Sequence, residues 1–386
     1  MQVVCPFLKA NGVIVAHRRP KSSTMKTLKT TLCSLALIVL STQAYAQSHT
    51  SLDVVYTTVG LWNATDNRAN MINIVDVALD QSLWSGATLE VNMLSVNNMR
   101  NLMGEIPTTP DGGVFGSVER VSIPLSLFKF GIEQVAGRTR NFIGVRNIHS
   151  DYFVTPWNSL YTAAVNGLLP TLSRQMPFAN SAGAALGLHF EWDITRWGLS
   201  YKSSLYNGRA STRWDEVFRF RPRRDGVVCL SELAMEGAPD SYVGIYKIGA
   251  ATGRVRADDD SDKSYGGSYW AQVEQPLYVE GEGNAVALIL RGGYASKNLW
   301  QGYWGAGFAW RGVAGPSVDY LGALVTRTWH KVECETAVEV TYAYTWRWLT
   351  VQPSVHWVHT SSASRWFGEL RASLAFNYTT QKKAPQ

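Results

Sequence analysis

The chain has 386 residues, with 36 Lys and Arg against 30 Asp and Glu, and a mean hydropathy of −0.10. The six basic residues Lys9, Arg18, Arg19, Lys21, Lys26 and Lys29 lie ahead of Gln47 with no acidic residue among them, so the remainder is formally neutral. Composition therefore gives no support to nucleic acid as a partner. No run of 18 apolar residues occurs, which excludes helical membrane spans.

In chain order, the first segment with a legible role is 25–46. Lys26 and Lys29 supply a positive start, 32–40 an apolar stretch, and Ala44, Tyr45 and Ala46 a small-x-small cleavage site. The stretch is too short to span a bilayer, so a signal peptide cleaved before Gln47 is expected. Residues 1–24 read as sequence upstream of the true start.

From there the chain tiles into strands near 51–61, 70–79, 87–96, 118–134, 138–146, 186–193, 198–206, 227–235, 241–250, 268–279, 285–294, 302–312, 318–329, 333–345, 348–359 and 366–378. The last three carry the clearest dyad. Val338, Val340, Tyr342 and Tyr344 share one face, with Ala337, Glu339, Thr341 and Ala343 on the other. Leu349, Val351, Pro353, Val355 and Trp357 then oppose Thr350, Gln352, Ser354 and His356. Leu370, Ala372, Leu374, Phe376 and Tyr378 oppose Arg371, Ser373, Ala375 and Asn377. A strand with two such faces needs an apolar medium on one side and a polar one on the other. With 15 Trp and 17 Tyr available for interfacial girdles, the pattern predicts an all-β fold: a transmembrane antiparallel barrel of about sixteen strands, spanning 47–378, with 379–386 a short polar tail.

Under this tiling, short turns (80–86, 135–137, 194–197, 236–240, 280–284, 313–317, 346–347) alternate with longer polar connections such as 207–226 and 251–267. One connection is out of scale. Segment 147–184 carries Tyr152, Phe153, Trp157, Tyr161 and Phe178 with Pro156, Pro170 and Pro177. So much apolar surface wants burial, and the available place is the lumen, so an inward-folded constriction loop is expected. The dyad also turns Glu90, Asn92, His189, Glu191, Gln272, Glu274, Arg291 and Arg311 inward. It assigns no facing to Glu232, Lys247 or Asp319, whose strands do not alternate cleanly. A wall of mixed sign suits a neutral polyhydroxy solute better than a charged one.

Other chemistries find weak footing. Cys229 and Cys334 fit no zinc pattern and leave a disulfide between them open. The run 218–224, Phe-Arg-Phe-Arg-Pro-Arg-Arg, reads as an outer loop meeting anionic lipopolysaccharide or lining the vestibule. Asp258, Asp259, Asp260 and Asp262 lack the glycine and bidentate Glu of a calcium loop. Ser354 and His356 share a face at i, i+2, the one pair that suggests a barrel enzyme acting on lipid; a structural or adhesive barrel is the other alternative. No catalytic residue, cofactor or metal is expected.

Several stretches together resemble the OprB-type carbohydrate-selective porins of Gram-negative outer membranes: LYNG (205–208), YKIG (246–249), YWAQVEQPLYVE (269–280), GAGFAWRG (305–312) with DYLG (319–322), and VEVTYAYTWRWLTVQPSVHWV (338–358). The resemblance implies a sixteen-stranded outer-membrane barrel through which sugars diffuse passively, with an eyelet of Arg, acidic and aromatic side chains. It makes Arg146 the first candidate eyelet arginine, followed by Asp151 and Trp157 on the loop and Glu274 and Arg291 on the wall. Trp157 and Tyr161 are the loop residues expected to stack on sugar C–H faces. The implied partners are carbohydrate solutes, outer-membrane lipid and lipopolysaccharide, with a homo-oligomer left open. Two departures stand out: the chain runs eight residues beyond its last aromatic, Tyr378, and its mature length falls below that of typical members.

Overall fold

A computed structural model describes residues 49–99, 122–167, 169–173, 183–237, 241–255, 264–281, 283–296, 301–315, 319–329 and 334–381. The expected signal peptide, residues 118–121, Pro177 and Phe178, and the acidic run at 258–262 lie outside the described residues.

Sixteen strands form one closed antiparallel barrel. They are β1 (His49–Asn63), β2 (Arg68–Trp84), β3 (Ala87–Asn98), β4 (Ile123–Ala136), β5 (Thr139–Arg146), β6 (Ala185–Asp193), β7 (Leu199–Asn207), β8 (Val227–Glu236), β9 (Ile245–Val255), β10 (Ser264–Glu280), β11 (Asn284–Ser296), β12 (Gly302–Arg311), β13 (Asp319–Trp329), β14 (Cys334–Trp346), β15 (Leu349–Thr360) and β16 (Ser364–Gln381). Each pairs with its sequence neighbours, and β1 closes on β16 from His49↔Gln381 to Asn63↔Phe367. Closure leaves no unpaired sheet edge in the apolar medium. Every expected strand is present. The ninth begins at Ile245 rather than 241, and the last runs to Gln381, three residues into the segment expected as a tail.

Pro353 cannot donate to the ladder, and the β14–β15 pairing is interrupted beside it, passing from Thr341↔Ser354 to Tyr344↔Val351. Pro276 sits at a register shift between β10 and β11. The two-residue turn after β2 relies on Gly86, whose φ of +74° is open to glycine and where a Cβ would lie 2.4 Å from the Val135 carbonyl oxygen.

The expected alternation of long and short connections holds over only half of the barrel. Residues 99–122, 147–184 and 208–226 are long, but the connections on the same end at 64–67, 297–301, 330–333 and 361–363 are as short as the turns opposite. Loop closure costs little per added residue, so nothing in the barrel requires equal loops around the rim.

Side-chain facing follows the dyad. Val340, Val355, Leu370, Phe376 and Tyr378 are exposed on the outer wall, while Glu339, His356 and Glu369 are buried inward. Exposed aromatic residues gather at both ends of the outer wall. Trp62, Tyr294, Trp304 and Trp366 lie at the end of the long loops, and Trp84, Trp192, Trp310, Trp346 and Tyr378 at the end of the turns. Two such belts enclosing an apolar band mark a transmembrane barrel. Both described cysteines are free, Cys229 exposed and Cys334 partly so.

Candidate functional site in the lumen

The described part of segment 147–184 leaves β5 and folds into the barrel, as its aromatic content demands. It begins with a helical turn (His149–Tyr152), followed by a 3-10 turn (Asn158–Leu160) and two further helical turns (Ala164–Gly167 and Pro170–Ser173). Tyr152 donates to or accepts from Ser204 of β7 at 2.6 Å, and both Tyr152 and Phe153 meet Trp270 of β10 edge-on, with ring centroids 6.1 and 5.4 Å apart. These rings join a buried cluster with Val228, Leu230 and Ala251. Further on, Trp157, Leu160 and Tyr161 pack on Ala285, Ala287, Ile289, Ala309 and Leu324. The wall here is built from small residues so that the loop can approach. At Gly322, an added Cβ would lie 3.0 Å from the Tyr161 ring.

Two wall carboxylates pin this loop by its backbone. Glu274 accepts the Asn158 N–H at 2.8 Å and the Trp157 N–H at 3.3 Å, together with the Thr155 hydroxyl. Glu339 accepts the Thr162 N–H at 2.6 Å, the Thr162 hydroxyl at 2.9 Å, the Ala163 N–H at 3.1 Å and the Asn166 amide. Donors come from the other side. Arg291 reaches Asn158 Oδ1 at 3.1 Å and the Asn166 and Gly167 carbonyls, Gln352 donates to the Leu160 carbonyl at 2.9 Å, and Arg311 to that of Pro156 at 2.7 Å. Charge-assisted bonds of this kind are about twice as strong as neutral ones and are costly to leave unmade when buried.

Where the loop departs from β5, Arg146 Nε donates to Asp151 Oδ2 at 2.6 Å, and its second nitrogen meets Oδ1 in a bidentate pair. The Arg146 guanidinium lies over the Phe142 ring at 4.7 Å and 3.9 Å from Glu90, which in turn pairs with Lys129 at 2.6 Å. Burial pushes the Asp151 carboxyl up, but the adjoining Arg146 outweighs it and holds Asp151 below the usual carboxylate range. The pattern of alternating sign continues round the wall. Lys202 lies 3.9 Å from Glu191 and 3.5 Å from Glu236, and Glu236 is 2.9 Å from Lys247. The indole of Trp270 donates to Glu232 at 2.8 Å.

The six residues singled out from the sequence therefore fall into three groups. Arg146 and Asp151 pair with each other; Trp157, Glu274 and Arg291 converge on the 3-10 turn; Tyr161 stands apart, its hydroxyl donating to the Phe308 carbonyl at 2.6 Å. Trp157 is 1% exposed, Glu274 1% and Arg291 4%. Arg311, whose guanidinium stacks 4.5 Å above Trp157, and Glu339 lie inward as the dyad predicts, but only the loop's path reveals what they hold. Glu232 and Lys247, left without a facing, both point inward. Asp319 lies at the turn end, accepting the Tyr342 hydroxyl at 2.9 Å and the Ala314 N–H at 2.8 Å.

Solvent reaches a different part of the lumen. The inward residues Ser51, Asp53, Val55 and Thr57 of β1, Asp76 and Asp80 of β2, Lys129 and Glu133 of β4, and Ser373 and Asn377 of β16 are half-buried or exposed. This wall is rich in hydrogen-bonding groups and borders the loop's root only at Lys129, through Glu90. Ser354 and His356, the pair considered for hydrolysis, have other partners: Ser354 bonds Thr341 at 2.7 Å, while the fully buried His356 faces Glu369 at 3.4 Å and Thr162 at 3.3 Å.

No family model and no curated protein matches the chain. Solved structures do. OprB of Pseudomonas putida at high pH superposes with a TM-score of 0.70 at 14% identity, covering 89% of this chain and 97% of that one. An anion-selective porin from Comamonas acidovorans gives 0.51 at 9% identity, covering 85% and 100%. OmpT of Vibrio cholerae gives 0.52 at 10%, covering 86% and 99%. The chain has the fold of outer-membrane porins, and its similarity to OprB extends over most of both chains.

Proposed function

We propose that the chain is a porin of a Gram-negative outer membrane, exported by its signal segment, that lets small neutral carbohydrates diffuse passively. The observation that carries this reading is the division of the lumen. A loop pinned by Glu274 and Glu339 fills one side, and a wall of hydrogen-bonding groups on β1, β2, β4 and β16 faces solvent on the other. A sugar moving along that wall would exchange its water for carboxylate acceptors and for the donors of Lys129 and Asn377, each contact weak enough to release. Selectivity needs no nucleophile and no cofactor.

In this reading the paired Arg146 and Asp151, themselves largely covered, hold the loop at its root. Trp157, Tyr161, Glu274 and Arg291 set how far the loop reaches into the lumen, since their own surfaces are covered. The resemblance to OprB-type porins supports carbohydrate as the solute class. An adhesive barrel would project its long loop outward, whereas the described part of this loop folds in.

Liposome swelling with a graded series of neutral sugars tests the proposal. Rates should fall steeply with sugar size, and Arg146→Ala should relax that dependence. Channels that conduct ions but neither admit sugars nor respond to them would reject the carbohydrate preference, and absence of any conductance would reject the porin reading.

A further inference from the structure

The arginine-rich run that the passage leaves unused sits on an ordered connection, residues 208–226, between β7 and β8. It holds six arginines, no lysine and three carboxylates. The connection does not rise away from the barrel. From β7 it reaches over β6 and β5 to touch β4: the Trp214 indole donates to the Leu125 carbonyl at 3.3 Å, and the Phe218 ring meets Phe130 edge-on at 5.7 Å. Phe130 is 39% exposed on the outer wall and pairs with Val145, one residue before β5 ends. The contact therefore lies on the lipid-facing side at the upper rim of the wall.

Hydrogen bonds hold the connection in this posture. Ser211 bridges to Ala184, the Arg221 N–H donates to Asn207 Oδ1 at 3.0 Å, and the buried Asp225 accepts from Asn207 at 3.3 Å. Gly208 is packed so closely that a Cβ would lie 2.4 Å from the carbonyls of Arg254 and Asp225. What this posture presents is Arg219, Phe220, Arg221, Arg223 and Arg224, all exposed, beside a ring already seated on the outer wall. Arg219 is engaged by Asp215 and Glu216.

We propose that this patch binds the phosphorylated headgroup of an outer-leaflet glycolipid, with Arg221, Arg223 and Arg224 on phosphate and Phe218 and Phe220 against the first acyl carbons. Guanidinium forks match phosphate oxygens in a bidentate way that a point charge does not, and aromatic side chains settle at the boundary between headgroup and acyl chain. A basic patch roofing the lumen would act on solutes. Phe218 on the outer wall instead puts this one beside lipid, and the excess of guanidinium over carboxylate fits an anion.

The test uses the whole barrel in detergent with bis-phosphorylated lipid A as the probe, followed by native mass spectrometry. The unaltered protein should retain the lipid through dilution. Arg221→Gln, Arg223→Gln and Arg224→Gln combined should weaken retention at least tenfold while single-channel conductance is unchanged, and Phe218→Ala should weaken it less. Dephosphorylated lipid A should bind no better to the unaltered protein than to the triple variant. Equal retention by the triple variant, or equal binding of the dephosphorylated lipid, would overturn the site. Complete displacement by millimolar inorganic phosphate would overturn the lipid as its occupant.

Discussion

The wall beneath the loop and the wall across from it obey different rules. On β8 and β11 to β13 the inward positions include Val228, Leu230, Ala285, Ala287, Ile289 and Leu324, because their neighbour is protein. At the turn end of β1, β2 and β4 the inward positions include Asp53, Asp80 and Glu133, which face open lumen. A lumenal face can therefore turn apolar where protein covers it. Several charges on the covered wall, Glu274, Arg291, Arg311 and Glu339, act as fasteners matched to particular loop atoms.

The largest disturbance of this contrast should come from Glu339→Ala, which leaves four donors without their acceptor. At about 1–3 kcal/mol for each buried group left unpaired, the loop should lose its hold between Thr162 and Asn166. Single-channel conductance should rise several-fold and discrimination by sugar size should collapse; an unchanged conductance would show that the loop is held elsewhere.

Acid should act more gently, through Asp151. Its carboxyl, raised by burial but held below the usual range by Arg146, contributes to docking wherever pH exceeds the ordinary carboxylate value of about 4. That contribution fades as pH falls through the depressed value of the folded protein. Conductance traced against pH should run level between about pH 8 and pH 5 and change only in stronger acid. Asp151→Asn should erase the acid limb.

Gly322→Ala pushes a methyl group against the Tyr161 ring, at an overpacking cost of about 1–3 kcal/mol. The melting temperature should fall, and the rate of sugar entry should shift modestly as the loop tilts. The smallest effect is expected on the open wall. Asp80→Asn with Glu133→Gln removes two carboxylates from the wet side without touching a fastener, so the reversal potential in a salt gradient should move away from cation preference while the melting temperature holds.

The same contrast governs what was legible in the sequence. Glu339, Gln352 and Arg371 were turned inward by parity alone, because β14 to β16 keep polar residues on their inner faces. Glu232 and Lys247 escaped, since their inward neighbours Val228, Leu230, Ala234 and Ala251 are apolar and the dyad vanishes when both faces meet apolar surroundings. The inward course of the loop followed from its aromatic content. Its fasteners did not, because pairing Glu339 with Thr162 joins residues 177 positions apart through a path that no local pattern encodes.

The uneven rim has a consequence for traffic. Between β11 and β16, and again between β1 and β2, the connections facing outward are only a few residues long, whereas the long ones, 99–122, 147–184 and 208–226, join strands of the remaining arc. Little chain therefore stands beyond the outward ends of β16, β1 and β2, the strands that carry the hydrated strip. Under the proposed function, a solute nearing that side would meet the strip before it met the docked segment.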